Sequence, residues 1–111
     1  MSFTRACATD DVPVDEGLAV TVGEYEIVVA RCGDDFYALQ NLCSHAAVEL
    51  SEGEVSGCAI ECWLHGSTFD LRTGKPTTFP ATEPVATFAV EVRDAAVYVD
   101  TTTTLNGVTP T

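Results

Sequence analysis

Both histidines of this 111-residue chain stand two or three residues beyond a cysteine. Cys43-Ser44-His45 forms one pair and Cys62-Trp63-Leu64-His65 the other, with residues 46 to 61, sixteen in all, between the pairs. Thiolates and imidazoles suit zinc, iron and iron–sulfur clusters. A structural zinc site usually takes two cysteines from one loop and two histidines from another. Here each loop offers one of each. The mixed pairing has a geometric use if two metals are bridged, because each loop can then reach an inner metal with its cysteine and an outer one with its histidine. A zinc site built from the same four residues stays open as the alternative.

Such ligands have to be presented on loops, and the flanking sequence supplies strands to hold them. Residues 3–8 alternate weakly, and Leu18 to Val22 alternates as a half-buried strand does. Tyr25 to Arg31 (YEIVVAR) is rich in β-branched residues. Gly33-Asp34-Asp35 turns the chain into a short strand, Phe36 to Leu39, that leads to Cys43. Between the pairs, two short strands are expected around a glycine turn, the second being Cys58 to Glu61. Ser67 to Asp70 alternates again. Pro76, Pro80 and Pro84 keep residues 75–84 irregular. Val85 to Arg93 and Ala95 to Asp100 form a hairpin about Arg93-Asp94, and the polar tail after it is expected to fray. No useful stretch has a 3.6-residue apolar period. The expected class is an antiparallel all-β domain.

The chain is long enough for one domain, and 46% of it is hydrophobic. Its net charge is −12. That balance repels phosphate backbones and anionic lipid, so neither nucleic acid nor a membrane is an expected partner. It favours a partner with a basic patch, or serves solubility alone. The N-terminal residues lack a basic stretch followed by an apolar core, and no apolar run approaches a membrane span. A cytoplasmic location is expected. Five cysteines, an odd count, in a reducing compartment argue against a disulfide framework. Cys7, Cys32 and Cys58 are expected to be small buried apolar groups.

C-x-H followed by C-x₂-H resembles the fingerprint of the Rieske [2Fe–2S] family. His65-Gly66-Ser67, the run Phe69 to Gly74 and Pro80-Ala81 resemble segments of the small bacterial Rieske-type ferredoxins that serve aromatic-ring dioxygenases. The resemblance spans Phe3 to about Asp100. It implies a sandwich or barrel-like antiparallel base carrying a small cluster-binding subdomain. The domain is expected over residues 1–103, with the subdomain at about 41–72 and a polar tail at 104–111. It implies one [2Fe–2S] cluster held by Cys43, His45, Cys62 and His65, with Ser67 donating to a bridging sulfide. No catalytic residue is implied. The partners would be a flavin-dependent, NAD(P)H-oxidising reductase and a terminal non-haem iron oxygenase, met by a monomeric electron carrier.

The same resemblance sets expectations for the potential. Val48 and Leu64 match positions where respiratory relatives carry a second disulfide-bonded cysteine pair, and Phe69 matches a tyrosine that donates to a cluster thiolate. Fewer hydrogen bonds to sulfur, with dense negative charge, imply a potential low in the Rieske range, whose floor is about −150 mV. Trp63 is expected to shield the cluster or to dock a partner, Pro80 to cover a third side, and Arg72 and Lys75 to be solvated. A small subunit of an NADH-dependent nitrite reductase is the alternative within the family. A zinc-stabilised binding module is the alternative outside it.

Overall fold

The structure is a computed structural model that describes residues 3–42, 48–63, 66–78 and 83–108. The strands among them are β1 (Thr4–Ala8), β2 (Leu18–Val22), β3 (Tyr25–Cys32), β4 (Asp35–Gln40), β5 (Val55–Ser56), β6 (Ala59–Cys62), β7 (Ser67–Asp70), β8 (Thr87–Arg93) and β9 (Ala96–Asp100). Two single turns of 3-10 helix, Thr9–Asp11 and Leu50–Glu52, complete the regular structure described. A six-stranded antiparallel sheet runs β1-β9-β8-β4-β3-β2, and a three-stranded one runs β5-β6-β7. The edge strands β1 and β2 approach each other, so the large sheet curls almost into a barrel. The all-β class expected from the sequence is the one observed.

The apolar run in β3 explains how two sheets share one wall. Successive side chains of a strand point to opposite faces. Ile27 and Val29 therefore pack inside the barrel with Val22, Ala38, Phe88, Val97 and Val99. Val28 and Ala30 face the other way and meet Leu50, Val55, Ile60, Phe69 and Leu71 beneath the small sheet. β4 divides likewise, Ala38 inward and Leu39 outward. A strand buried on both faces reads as continuously apolar, and Ile27 to Ala30 are all fully buried.

Three local expectations are corrected. Cys32 and Cys58 are not separate buried thiols: they are disulfide-bonded, with Cα atoms 5.1 Å apart. The bond joins the end of β3 to the turn between β5 and β6. It closes a segment of 26 residues, which corresponds to about 3.5 kcal/mol in the chain-entropy account. Cys58 lies in that turn with φ of 61°, not in a strand, because Ser56 pairs with Ala59 and leaves Gly57-Cys58 to reverse the chain. The β8–β9 reversal is centred on Asp94-Ala95, one residue later than expected, with both in the left-handed region. Arg72 is exposed, as expected of a solvated cation. Its side chain hydrogen-bonds Tyr37, which is the main reason its guanidinium is held above its ordinary value.

The C-terminal segment is not frayed at Leu105 and Asn106. Leu105 N–H donates to the Thr87 carbonyl at 2.8 Å. The Asn106 amide donates to the carbonyls of Val85 (2.8 Å) and Thr73 (3.0 Å), and its oxygen accepts from Thr87 N–H at 3.3 Å. Composition suggested disorder, but one side chain with two donors and an acceptor fixes the segment. Asn106→Ala should cost about 1–3 kcal/mol in urea denaturation, whereas a frayed end would give no change.

Cys7 fits its expectation, being 5% exposed inside the barrel. Burial pushes its thiol up, Asp11 adds to the rise and Arg5 opposes it. The folded protein thus holds this proton more tightly than the unfolded chain does. The stability it contributes is present below the ordinary thiol value, about 8.5, and fades as pH rises through the elevated one. Urea denaturation between pH 7 and pH 10, roughly the range spanning that value, should show a steeper loss of stability in the parent protein than in Cys7→Ala.

Candidate metal centre

The second Cys–His pair falls at the reversal between β6 and β7. These strands pair Ile60 with Phe69 and Cys62 with Ser67, which leaves residues 63–66 as the loop. Gly66, at φ of 76°, takes the left-handed conformation that closes it, and its N–H donates to the Cys62 carbonyl at 2.9 Å. Alternation then places Ile60 and Cys62 of β6, and Ser67 and Phe69 of β7, on one face turned to the inter-sheet core. All four are fully buried. Cys62 is thereby held out of water at the mouth of its loop, while Trp63 next to it is 47% exposed.

The base of the first loop is built differently. Leu42 and Glu49 form an isolated antiparallel bridge across its ends. Asn41 ties the returning limb: its carbonyl accepts from Leu50 N–H at 3.2 Å and its side-chain oxygen from Ser51 N–H at 2.8 Å. Gln40, also buried, donates to the Leu42 carbonyl at 2.8 Å and accepts from Ala86 N–H at 2.9 Å. The returning limb then passes directly under β6. A Cβ on Gly53 would lie 1.7 Å from the Glu61 carbonyl oxygen, so only glycine fits there. Glu61 N–H in turn donates to the Glu54 carbonyl at 2.9 Å. The two loops thus share one framework.

A third segment runs alongside. Pro76 bridges to Phe69, Thr77 N–H donates to the Thr68 carbonyl at 2.7 Å, and Thr68 N–H donates to the Thr78 hydroxyl at 2.9 Å. The Thr68 and Thr77 hydroxyls are also hydrogen-bonded. These contacts tether the chain just before the proline-containing stretch.

Of the expected site residues, Cys62 and Ser67 are described and stand as antiparallel partners. Cys43, His45 and His65 lie outside the described residues, as do Leu64 and Pro80. Among the described residues no three metal-binding side chains gather. What is described suits the four-ligand set: a soft thiol donor kept dry at one loop, and at the other a base closed by the Leu42–Glu49 bridge. Val48 packs against the inter-sheet core, and the Phe69 ring, fully buried, has no hydrogen-bond donor. Gln40 and Asn41 were missed by the sequence reading. Their signal was an amide pair at the end of the apolar run Phe36 to Leu39, two residues ahead of Cys43.

A family profile described as Rieske [2Fe-2S] domain matches residues 2–89. A ferredoxin, CarAc, of Metapseudomonas resinovorans is 41% identical over 98 residues, covering 87% of this chain and 92% of that one. The anthranilate 1,2-dioxygenase ferredoxin subunit of Burkholderia cepacia is 41% identical, covering 84% of this chain and 86% of that one. Among solved structures, a chain in the complex of reduced oxygenase and oxidized ferredoxin in carbazole 1,9a-dioxygenase superposes with a TM-score of 0.80. It is 40% identical and covers 87% of this chain and 91% of that one.

Gln40→Leu removes the acceptor of a buried amide and the support of the first loop together. It should cost about 1–3 kcal/mol in equilibrium denaturation. A loss below about 0.5 kcal/mol, as for an ordinary surface change, would contradict the role given to Gln40.

Proposed function

Because the chain belongs to the Rieske [2Fe–2S] family, we propose that it is a cytoplasmic ferredoxin, an electron-transfer component and not itself an enzyme. It takes single electrons from a flavin-dependent, NAD(P)H-oxidising reductase and delivers them to a terminal non-haem iron oxygenase acting on aromatic compounds. The observation that carries the reading is the near-full-length match to dioxygenase ferredoxins, 92% of the CarAc chain at 41% identity. The solved oxygenase–ferredoxin complex supports the choice of acceptor.

In this reading Cys43 and Cys62 would hold one iron and His45 and His65 the other, and the cluster would supply a one-electron couple. The subdomain runs over about residues 41–72 of a domain at 1–103. The chain's own residues set how that couple is used. Buried Cys62 keeps water from the thiolate side. Ser67, its strand partner, would donate a hydrogen bond to a sulfide of the cluster. Phe69 offers no donor, which keeps the potential low in the Rieske range. Trp63 presents an exposed aromatic face beside the second loop, the kind of side chain that anchors transient interfaces.

Charge then governs the encounter. Glu24, Glu26 and Glu49 line a groove of about 250 Å³ beside the base of the first loop, in a chain of net charge −12. A basic partner surface would be drawn to it. A monomer suffices for this role.

The test is stopped-flow oxidation of the reduced protein by an aromatic-ring oxygenase of the carbazole or anthranilate type. One electron per chain should transfer, with a second-order rate that falls at least tenfold between roughly 20 and 500 mM salt. No transfer to any such oxygenase would overturn the reading. Ser67→Ala should lower the midpoint potential. A net hydrogen bond of about 1 kcal/mol corresponds to about 40 mV for one electron.

A further inference from the structure

The Cys32–Cys58 bond lies outside the two Cys–His pairs, with Cys58 four residues ahead of Cys62. Both cysteines are only partly buried, in contrast to Cys7. Cys32 ends β3 and is followed by exposed Gly33, Asp34 and Asp35. Cys58 occupies the reversal before β6, flanked by exposed Ser56 and Gly57. Its φ of 61° is one that L side chains rarely adopt, in a turn where asparagine or glycine would sit more easily. The Arg72 guanidinium reaches the Cys58 sulfur, Nη2 to Sγ being 3.9 Å, and is steadied by its hydrogen bond to Tyr37. Asp35 and Asp70 are the acids that act on Arg72. An accessible disulfide with a cation beside one sulfur has the arrangement of an exchangeable bond. Persistent structural disulfides are rare in reducing compartments, and those that occur there are mostly redox-responsive.

We propose that Cys32 and Cys58 form a thiol–disulfide exchange site, opened by low-molecular-weight thiols and closed by the corresponding disulfides. In opening, a small thiolate attacks the Cys32 sulfur and forms a mixed disulfide there. The Cys32–Cys58 bond breaks, and Cys58 leaves with the electron pair as a thiolate beside Arg72, where the positive charge stabilises it. A second small thiolate attacks the small molecule's sulfur in the mixed disulfide and expels Cys32 as a thiolate. The sum is one protein disulfide plus two small thiols giving two protein thiols plus one small disulfide. Closing is the reverse. Opening frees the β5–β6 turn from β3, four residues ahead of Cys62, and leaves the small sheet held by its apolar core. Arg72 acts as a positioning residue through Cys58. The site rests on the cytoplasmic location in the proposed function, but not on electron delivery.

The cluster-loaded protein, equilibrated with glutathione and glutathione disulfide at varied ratio, is quenched, alkylated and mapped by peptide mass. Labels on Cys32 and Cys58 should rise and fall together across the ratio series, while Cys7 stays unlabelled under native conditions. Cys58→Ser should accumulate a glutathione adduct at Cys32. Arg72→Gln should slow opening by about tenfold and Arg72→Lys should restore most of the rate, a pattern that a purely structural arginine would not give. The proposal is overturned if the pair stays blocked at the highest glutathione and opens only on unfolding, or if both cysteines label fully at every ratio. An opening rate unchanged in Arg72→Gln overturns the part given to Arg72.

Discussion

Everything near the candidate metal centre depends on the apolar seam between the two sheets. Val28, Ala30 and Leu39 present one side of it, and Leu50, Val55, Ile60, Phe69 and Leu71 the other. Each fully buried large side chain contributes about 1.5–3 kcal/mol, against about 1 kcal/mol for a hydrogen bond. The seam therefore holds the small sheet in place. The amides of Gln40 and Asn41 contribute direction: they fix how the first loop leaves β4 and returns under β6. The Cys62–Ser67 pair then sits at a set height above the wall formed by β3 and β4.

Much of this was legible in the chain. β2 came out at its expected bounds because its alternation is regular and its ends are marked, and β3 extended only one residue further than expected. The two Cys–His pairs stood out because the chain has only two histidines and each lies close to a cysteine. Tertiary effects were harder to read. Nothing local distinguishes Cys32 from a buried thiol, and its partner is 26 residues away. The Gly57-Cys58 reversal was hidden because cysteine is not a residue that announces a left-handed turn. The tail looked polar and repetitive, yet Asn106 ties it to residues 73, 85 and 87, and Leu105 N–H adds a second bond to Thr87.

The two loops are held by different physics. The second rests on a hairpin whose alternation buries its cysteine, and a single left-handed glycine closes it. The first rests on side-chain amides and on the close approach of Gly53 to β6. A site assembled this way keeps its geometry through small changes in packing, because strand register and hydrogen-bond direction restrain it separately. The strongly acidic surface adds nothing to that geometry. It acts at longer range, on which partners arrive and how fast.

The two-iron cluster proposed for Cys43, His45, Cys62 and His65 is open to pulsed EPR of the dithionite-reduced protein. Reduction should give a one-electron paramagnetic signal carrying hyperfine coupling to two imidazole nitrogens, with one coupling lost in His45→Cys or His65→Cys. A colourless protein that holds zinc and gives no signal on reduction would contradict it, as would a cluster signal without nitrogen coupling.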